Sequence, residues 1–533
     1  MKLAQSCQQC RRAKRRCVRS GLLTDPCTTC LQRQLSCSRT RRGLPRLAPS
    51  DKEETGIGDN EGISRELGVQ LSEEYLTKIH DRPHSLFHTP SLRAQIRGGS
   101  VNPALLAALC ALGAHLARRG ALAASLTARA KRLVLARLEE MSVPIMQTCI
   151  LIANICAANA ESASEALFFR IAIGMAQITN IAVQDSTDSA ALGETKVRIW
   201  WTLFMADHWC SSSLGMRRDM ALDGAPPLPM EEAAFYSLTD SHNPTNTNTN
   251  TNTNTNNNTN NNPDSSLWAH MVTLVQLFGP IQDLNRQTVQ GKLDQVTAQR
   301  ETARLASQLD AWQDALPAPV RLTSANLARH GRRGTGGPLV ALHLGFHHYA
   351  TLLFFQYLDP FGLAPTPERA RFAARCRSHA AQYSSLLQRG RGHSQPGWET
   401  VYPTVAQMTV VSSSVLLHTL LFGEEDELPA ARAALHANFA ALVELEQYWP
   451  IVKLLVNRLL KFQNSCLLSA NPHTHRLDHW MVRFLFEYAL PLDEKTIDQP
   501  LSATEQAIVS SEAPRLAARA VPSYPVGSGN RLS

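Results

Sequence analysis

The sequence predicts a mainly α-helical protein, with a small cysteine-rich head on a large all-α body. Three observations predict it. From about residue 63 onward apolar residues recur at helical spacing, and strand-like alternation is scarce. Six of the twelve cysteines crowd into residues 7–37 while the other six are scattered. The 533 residues are 44% hydrophobic and 18% charged, enough apolar material for a large core and too much for a wholly disordered chain. That length leaves room for two or more domains.

The head comes first. Its cysteines read Cys7-x2-Cys10-x6-Cys17-x9-Cys27-x2-Cys30-x6-Cys37, two copies of C-x2-C-x6-C joined by a loop. The N-terminus starts polar and runs straight into basic and cysteine residues, so no cleavable signal peptide is expected. With thiols kept reduced, such a cluster holds metal rather than disulfides. A C-x2-C step brings two thiolates to one ion as a helix begins, and the third cysteine follows about two turns later. Two separate tetrahedral zinc ions take eight ligands, whereas two that share a pair of bridging thiolates take six. The count of six fits the shared arrangement. Residues 1–50 also hold twelve Lys or Arg against one acid, Asp25, a local charge of +11 in a chain of net +8. The remainder therefore sums to −3. A strongly basic head on a mildly acidic body suggests a nucleic-acid-binding module. An RNA-binding or membrane-surface head would share that charge.

This head resembles the fungal binuclear zinc cluster DNA-binding domain. The resemblance rests on the two C-x2-C-x6-C units, on the basic segment Arg11-Arg12-Ala13-Lys14-Arg15-Arg16, and on Pro26 ahead of the fourth cysteine. It implies two short helices around two Zn²⁺ ions. Cys7 and Cys27 would bridge, one ion taking Cys7, Cys10, Cys17 and Cys27, and the other Cys7, Cys27, Cys30 and Cys37. It further implies that Lys14 reads a CGG triplet of double-stranded DNA; the residue before it, often basic in that family, is Ala13. Physical chemistry agrees, because Arg11, Lys14 and Arg15 share adjoining faces of a helix and reach both phosphates and a base edge. Lys donating to guanine O6 and N7 is a common specific contact. Arg12, Arg16, Arg41 and Arg42 then contact phosphates or stay solvated. A zinc module used only for protein contacts is the plainer alternative.

The elements that follow are read in order. Residues 46–62 form a polar linker with Pro49 and several Gly, and they lack the apolar heptads of a coiled coil. The protein therefore binds as a monomer, or a homodimer forms through the body. Residues 63–485 read as the all-α body, with helices expected over 67–79, 103–118, 122–141, 145–158, 164–180, 195–213, 266–284, 296–316, 338–358, 366–389, 404–422, 429–448 and 451–468. Residues 245–262 are a Thr-Asn repeat between Pro244 and Pro263, with nothing apolar to bury, and are expected to be a disordered loop. Residues 486–533 are expected to be a disordered tail.

The body also resembles the regulatory region that follows the zinc cluster in that family. The landmarks are Ser64-Arg65-Glu66-Leu67, the stretch 105–114, and Arg198-x-x-Trp201 with Trp200, Asp207, Gly215 and Arg217. His208 stands where Arg is usual and no Pro follows Arg217. Val197, Trp200, Trp201 and Phe204 fall at i, i+3, i+4 and i+7 and are expected in the core, with Asp207 capping or pairing inside the fold. His343/His347 and His475/His479 lie at i, i+4 but lack the Glu and third ligand of a hydrolytic zinc site. No Gly-rich phosphate loop, G-x-S-x-G or Cys/His nucleophile pattern is present, so no enzyme is expected. The acidic run 424–427 reads as a solvated loop or an activation surface. No uninterrupted run of 18 apolar residues occurs, the longest candidates being 105–117 and 145–158, so no membrane association is expected. Together the two resemblances imply a nuclear transcription factor of RNA polymerase II genes with DNA and the transcription machinery as partners. The family-level expectation is a regulator of a secondary-metabolite gene cluster or of nutrient-use genes.

Overall fold

The computed structural model describes residues 63–82, 84–183, 185–239, 266–359, 366–391, 401–469 and 476–495. These belong to one of the two units into which the chain divides, Ile63–Ser533. Among the described residues there are helices and no strands. In chain order they are α1 Arg65–Lys78, α2 Thr89–Gly98, α3 Pro103–Leu116, α4 Gly120–Leu135, α5 Val143–Ala158, α6 Ser162–Ile178, α7 Ala190–Ser213 and α8 Glu232–Ser237. Then follow α9 Leu267–Val275, α10 Phe278–Val289, α11 Gln295–Asp314, α12 Ser324–Arg332, α13 Gly336–Phe354, α14 Pro367–Arg391, α15 Thr404–Phe422, α16 Leu428–Glu446, α17 Ile451–Ser469 and α18 His479–Phe486.

Local chemistry sets these ends. Ser64, Ser189, Ser266, Asp294, Thr323 and Asp478 each accept a hydrogen bond from the backbone N–H three residues on, meeting a donor the helix leaves unpaired. Asn102 caps α3 with Pro103 at its first position. Neighbours in sequence pack in pairs, α3 on α4, α5 on α6, α13 on α14 and α15 on α16, while α1 lies against α3. That last contact is close enough to require glycine. A Cβ at Gly113 would sit 1.9 Å from the Leu71 carbonyl oxygen, so no side chain fits between the two backbones.

Several expectations are corrected. The single helix expected over 266–284 is two, α9 and α10, broken at Gln276 and Leu277. Pro280 has no N–H and its ring clashes with the carbonyl four residues back, so it is accommodated only in the first turn of a new helix. Helices α2, α8, α12 and α18 were not expected. Gly99, left-handed at φ 74°, closes α2 as a helix-terminating glycine does. Packing also continues past residue 485. The Ala489, Leu490 and Leu492 carbonyls accept from Ser162, Arg458 and Lys461, and Leu492 is buried. The packed body thus reaches residue 495: Phe486, Ala489 and Leu492 are buried, and the buried Arg458 and half-buried Lys461 hold the segment by its backbone. The longest apolar segments are likewise not those expected. Gly336–Leu358 and Thr404–Phe422 are long and apolar enough to cross a bilayer by length and composition, and 94% and 89% of them lies buried inside the protein. They are the central core helices, apolar on all sides because other helices cover them. The 245–262 repeat and the tail beyond 495 lie outside the described residues.

Candidate functional site

The residues expected to hold zinc and contact DNA, Cys7 to Cys37 with Arg11, Arg12, Lys14, Arg15, Arg16, Arg41 and Arg42, lie outside the described residues. The functional geometry on view is in the body, around α7.

Helix α7 is buried on both faces. On one face Val197, Trp200, Trp201 and Phe204 are buried as expected; Trp201 donates its indole N–H to the Pro227 carbonyl at 3.0 Å, and Trp200 stacks on Phe204. Arg198, fully buried, anchors this side. Its guanidinium donates to Glu194 at 2.9 Å, Ser85 at 2.6 Å and the Met230 carbonyl at 2.7 Å, and lies 4.3 Å over the Phe235 ring. Such a cation is stable in the core because each guanidinium nitrogen has an acceptor and a carboxylate neutralises it.

Asp207 performs the expected capping. One carboxylate oxygen accepts from the Asp219 and Met220 amides at 2.7 and 2.8 Å, and the other accepts from Arg170 at 3.0 Å and Ser211 at 3.1 Å. Arg170 also donates to the Arg217 carbonyl, so the loop after α7 is tied down from both sides. Gly215 turns that loop at φ 67°. His208 donates its Nδ1–H to the Phe204 carbonyl, 2.9 Å away, and burial pushes its pKa down. A neutral ring thus fills the position where the resemblance implied Arg.

The opposite stripe of α7 (Thr202, Met205, Ala206, Trp209 and Cys210, again at helical spacing) faces a cavity of about 100 Å³. One buried water takes about 10–15 Å³ on that scale, so the space suits a small organic molecule. The wall gathers distant parts of the chain: Ala157 of α5, Glu165 and Phe169 of α6, Tyr402 ahead of α15, Trp449 ahead of α17, and Tyr488 after α18. Sequence reasoning missed this site. The available signal was the second apolar stripe of α7 and one acid, Glu165, on the buried face of α6 beside Phe168 and Phe169.

His343 and His347 each have other partners. His343 pairs with the Val320 carbonyl at 2.9 Å, and His347 meets His379 at 3.1 Å; His475 lies outside the described residues. Among the described residues no three His, Cys, Asp or Glu side chains converge to hold an ion. In the acidic run, Glu424, Glu425 and Asp426 are exposed while Glu427 pairs with Arg377.

Residues 73–314, which include α7 and its loop, match the family model of the fungal specific transcription factor domain. The chain is also similar to an uncharacterized transcriptional regulatory protein of Schizosaccharomyces pombe, 23% identical over 447 residues, which is 76% of this chain and 54% of the relative. It therefore spans about half the length of the curated relative it matches. Both similarities support a fungal transcription regulator and a regulatory rather than enzymatic role.

Proposed function

We propose that this chain is a nuclear, sequence-specific DNA-binding transcription factor of RNA polymerase II genes. The observation that carries the reading is the six-cysteine spacing inside a segment of charge +11, ahead of a stretch that matches a fungal transcription-factor domain. In this reading two Zn²⁺ ions are held by Cys7, Cys10, Cys17, Cys27, Cys30 and Cys37, with Cys7 and Cys27 bridging. Residues 1–45 contain too little apolar material to fold alone, so metal binding supplies their folding free energy. Lys14 reads the guanines of a CGG element, and Arg11, Arg12, Arg15, Arg16, Arg41 and Arg42 hold phosphates. The helical body is the regulatory part, and any homodimer contacts come from it because the linker has no heptads. Its targets are a pathway set, foremost a secondary-metabolite gene cluster. Binding of the full-length protein to CGG-containing and scrambled duplexes across a salt series tests this. Preference for CGG that persists as salt rises supports it, whereas equal, weak, steeply salt-sensitive binding to both duplexes overturns it.

A further inference from the structure

We propose that the cavity beside α7 is a binding site for a small apolar amine, with Glu165 as the counter-ion of its ammonium group. This goes beyond the DNA-binding reading and does not depend on it. Glu165 is only 6% exposed, and its wall partner is the Cys210 thiol, a weak neutral donor. The residues lining the cavity include no Lys and no Arg. A buried carboxyl without a cation is costly when ionised. Burial accordingly pushes the Glu165 pKa up to about 7. An entering cation would supply the missing charge where low polarity strengthens the pairing.

The other titratable groups facing the space carry no charge at neutral pH. Burial holds the Cys210 thiol and the Tyr402 and Tyr488 hydroxyls protonated, and it pushes His84 down to about 3, so that ring is neutral. Nearby Asp207 is already engaged by Arg170. The cavity therefore offers one latent anion and no competing cation. The remaining wall suits the rest of such a ligand. Phe169, Trp209, Tyr402, Trp449 and Tyr488 present aromatic surface, and ammonium groups are attracted to aromatic faces as well as to carboxylates. A few polar groups in an apolar, aromatic cavity is the usual composition of a small-molecule site. The site also joins segments before residue 240 to segments after residue 400, so an occupant would tie the two ends of the body together.

Calorimetric titration of the full-length protein tests the assignment with three probes of one shape: phenethylamine, phenethyl alcohol and phenylacetate. The amine is expected to bind at least tenfold more tightly than the alcohol, and phenylacetate not at all. In Glu165→Gln, which keeps shape and stays neutral, amine and alcohol are expected to bind within threefold of each other. Titration of the unmodified protein in buffers of different ionisation enthalpy is a second measurement that needs no variant. At pH 7 amine binding should release about half a proton, because Glu165 must be ionised in the complex, and alcohol binding should release none. The proposal is overturned if the amine shows no advantage over the alcohol, if the advantage survives in Glu165→Gln, if amine binding releases no proton, or if no probe binds.

Discussion

The cysteines of the head and those of the body are the same residue in opposite physical settings. In the head, six stand within 31 positions among Arg and Lys, with few apolar residues between them. In the body, Cys110, Cys149, Cys156, Cys210 and Cys376 are buried singly, and none is in a disulfide. Burial pushes Cys110 and Cys149 up to about 12 and Cys156 up to about 11, with Cys210 and Cys376 higher still. These five cysteines therefore remain thiols and act as small apolar side chains, whereas the charge around the head cysteines favours thiolate and metal. On the proposed reading, two regions of one chain reach a fold by different routes, one through ligand bonds and one through area removed from water.

Chelation breaks this comparison most sharply. Treating the full-length protein with a strong chelator should abolish DNA binding, leave the helical circular dichroism of the body nearly intact, and leave these five buried cysteines unreactive to maleimide. Loss of the body's thermal transition on chelation would show that the regions do not fold by separate routes.

Acid should act mainly on the body. Burial lowers His84, His347, His348 and His418 to about 3 and His379 to about 4, against 6.5 when unfolded. The unfolded chain thus binds more protons below pH 6.5, and stability present above that pH is lost as pH falls toward 4. Each such group contributes up to about 1.4 kcal/mol per pH unit. Glu165, raised by burial, works in the opposite direction over pH 4.5–7 and offsets only part. The body's melting temperature should fall steeply between pH 6.5 and 5; a flat profile there would contradict the neutral buried rings.

Arg198→Ala sharpens the comparison from the other side. It strands Glu194 and the Met230 carbonyl in the core and should cost about 3–5 kcal/mol of body stability, read from denaturant melts. Zinc content should not change.

The smallest effects lie within the head. Lys14→Ala should lose about 1–3 kcal/mol of preference for CGG over scrambled DNA. Arg41→Ala should weaken all sequences alike and lower the salt slope by about one. Competition binding at several salt concentrations separates the two; uniform weakening by both would mean that Lys14 is not the reader.

Helix periodicity and capping residues made most of the body legible in the sequence, down to the burial of Trp200 and Trp201 and the capping by Asp207. Short helices such as α12 were not, since nine residues offer too few periods, and their start rests on one cap, Thr323. The end of the body was misjudged for a related reason. Residues 486–495 mix apolar and charged side chains in a run too short to show a period, and they are held in part through backbone carbonyls, which no side-chain pattern records. The cavity was the least legible feature. Its wall joins residues from Ile79 to Tyr488, and a lone Glu on an amphipathic helix looks like any surface acid until the neighbouring helices are placed.

Zinc content per chain tests the central claim most directly. Full-length protein purified without chelator and dialysed against metal-free buffer should retain two zinc ions per chain by atomic emission. Cys7→Ala, which removes a ligand from both ions, should lose more zinc than Cys37→Ala, which removes a ligand from one. A stoichiometry of one in the unmodified protein, or equal losses in the two variants, would contradict the bridged two-ion head.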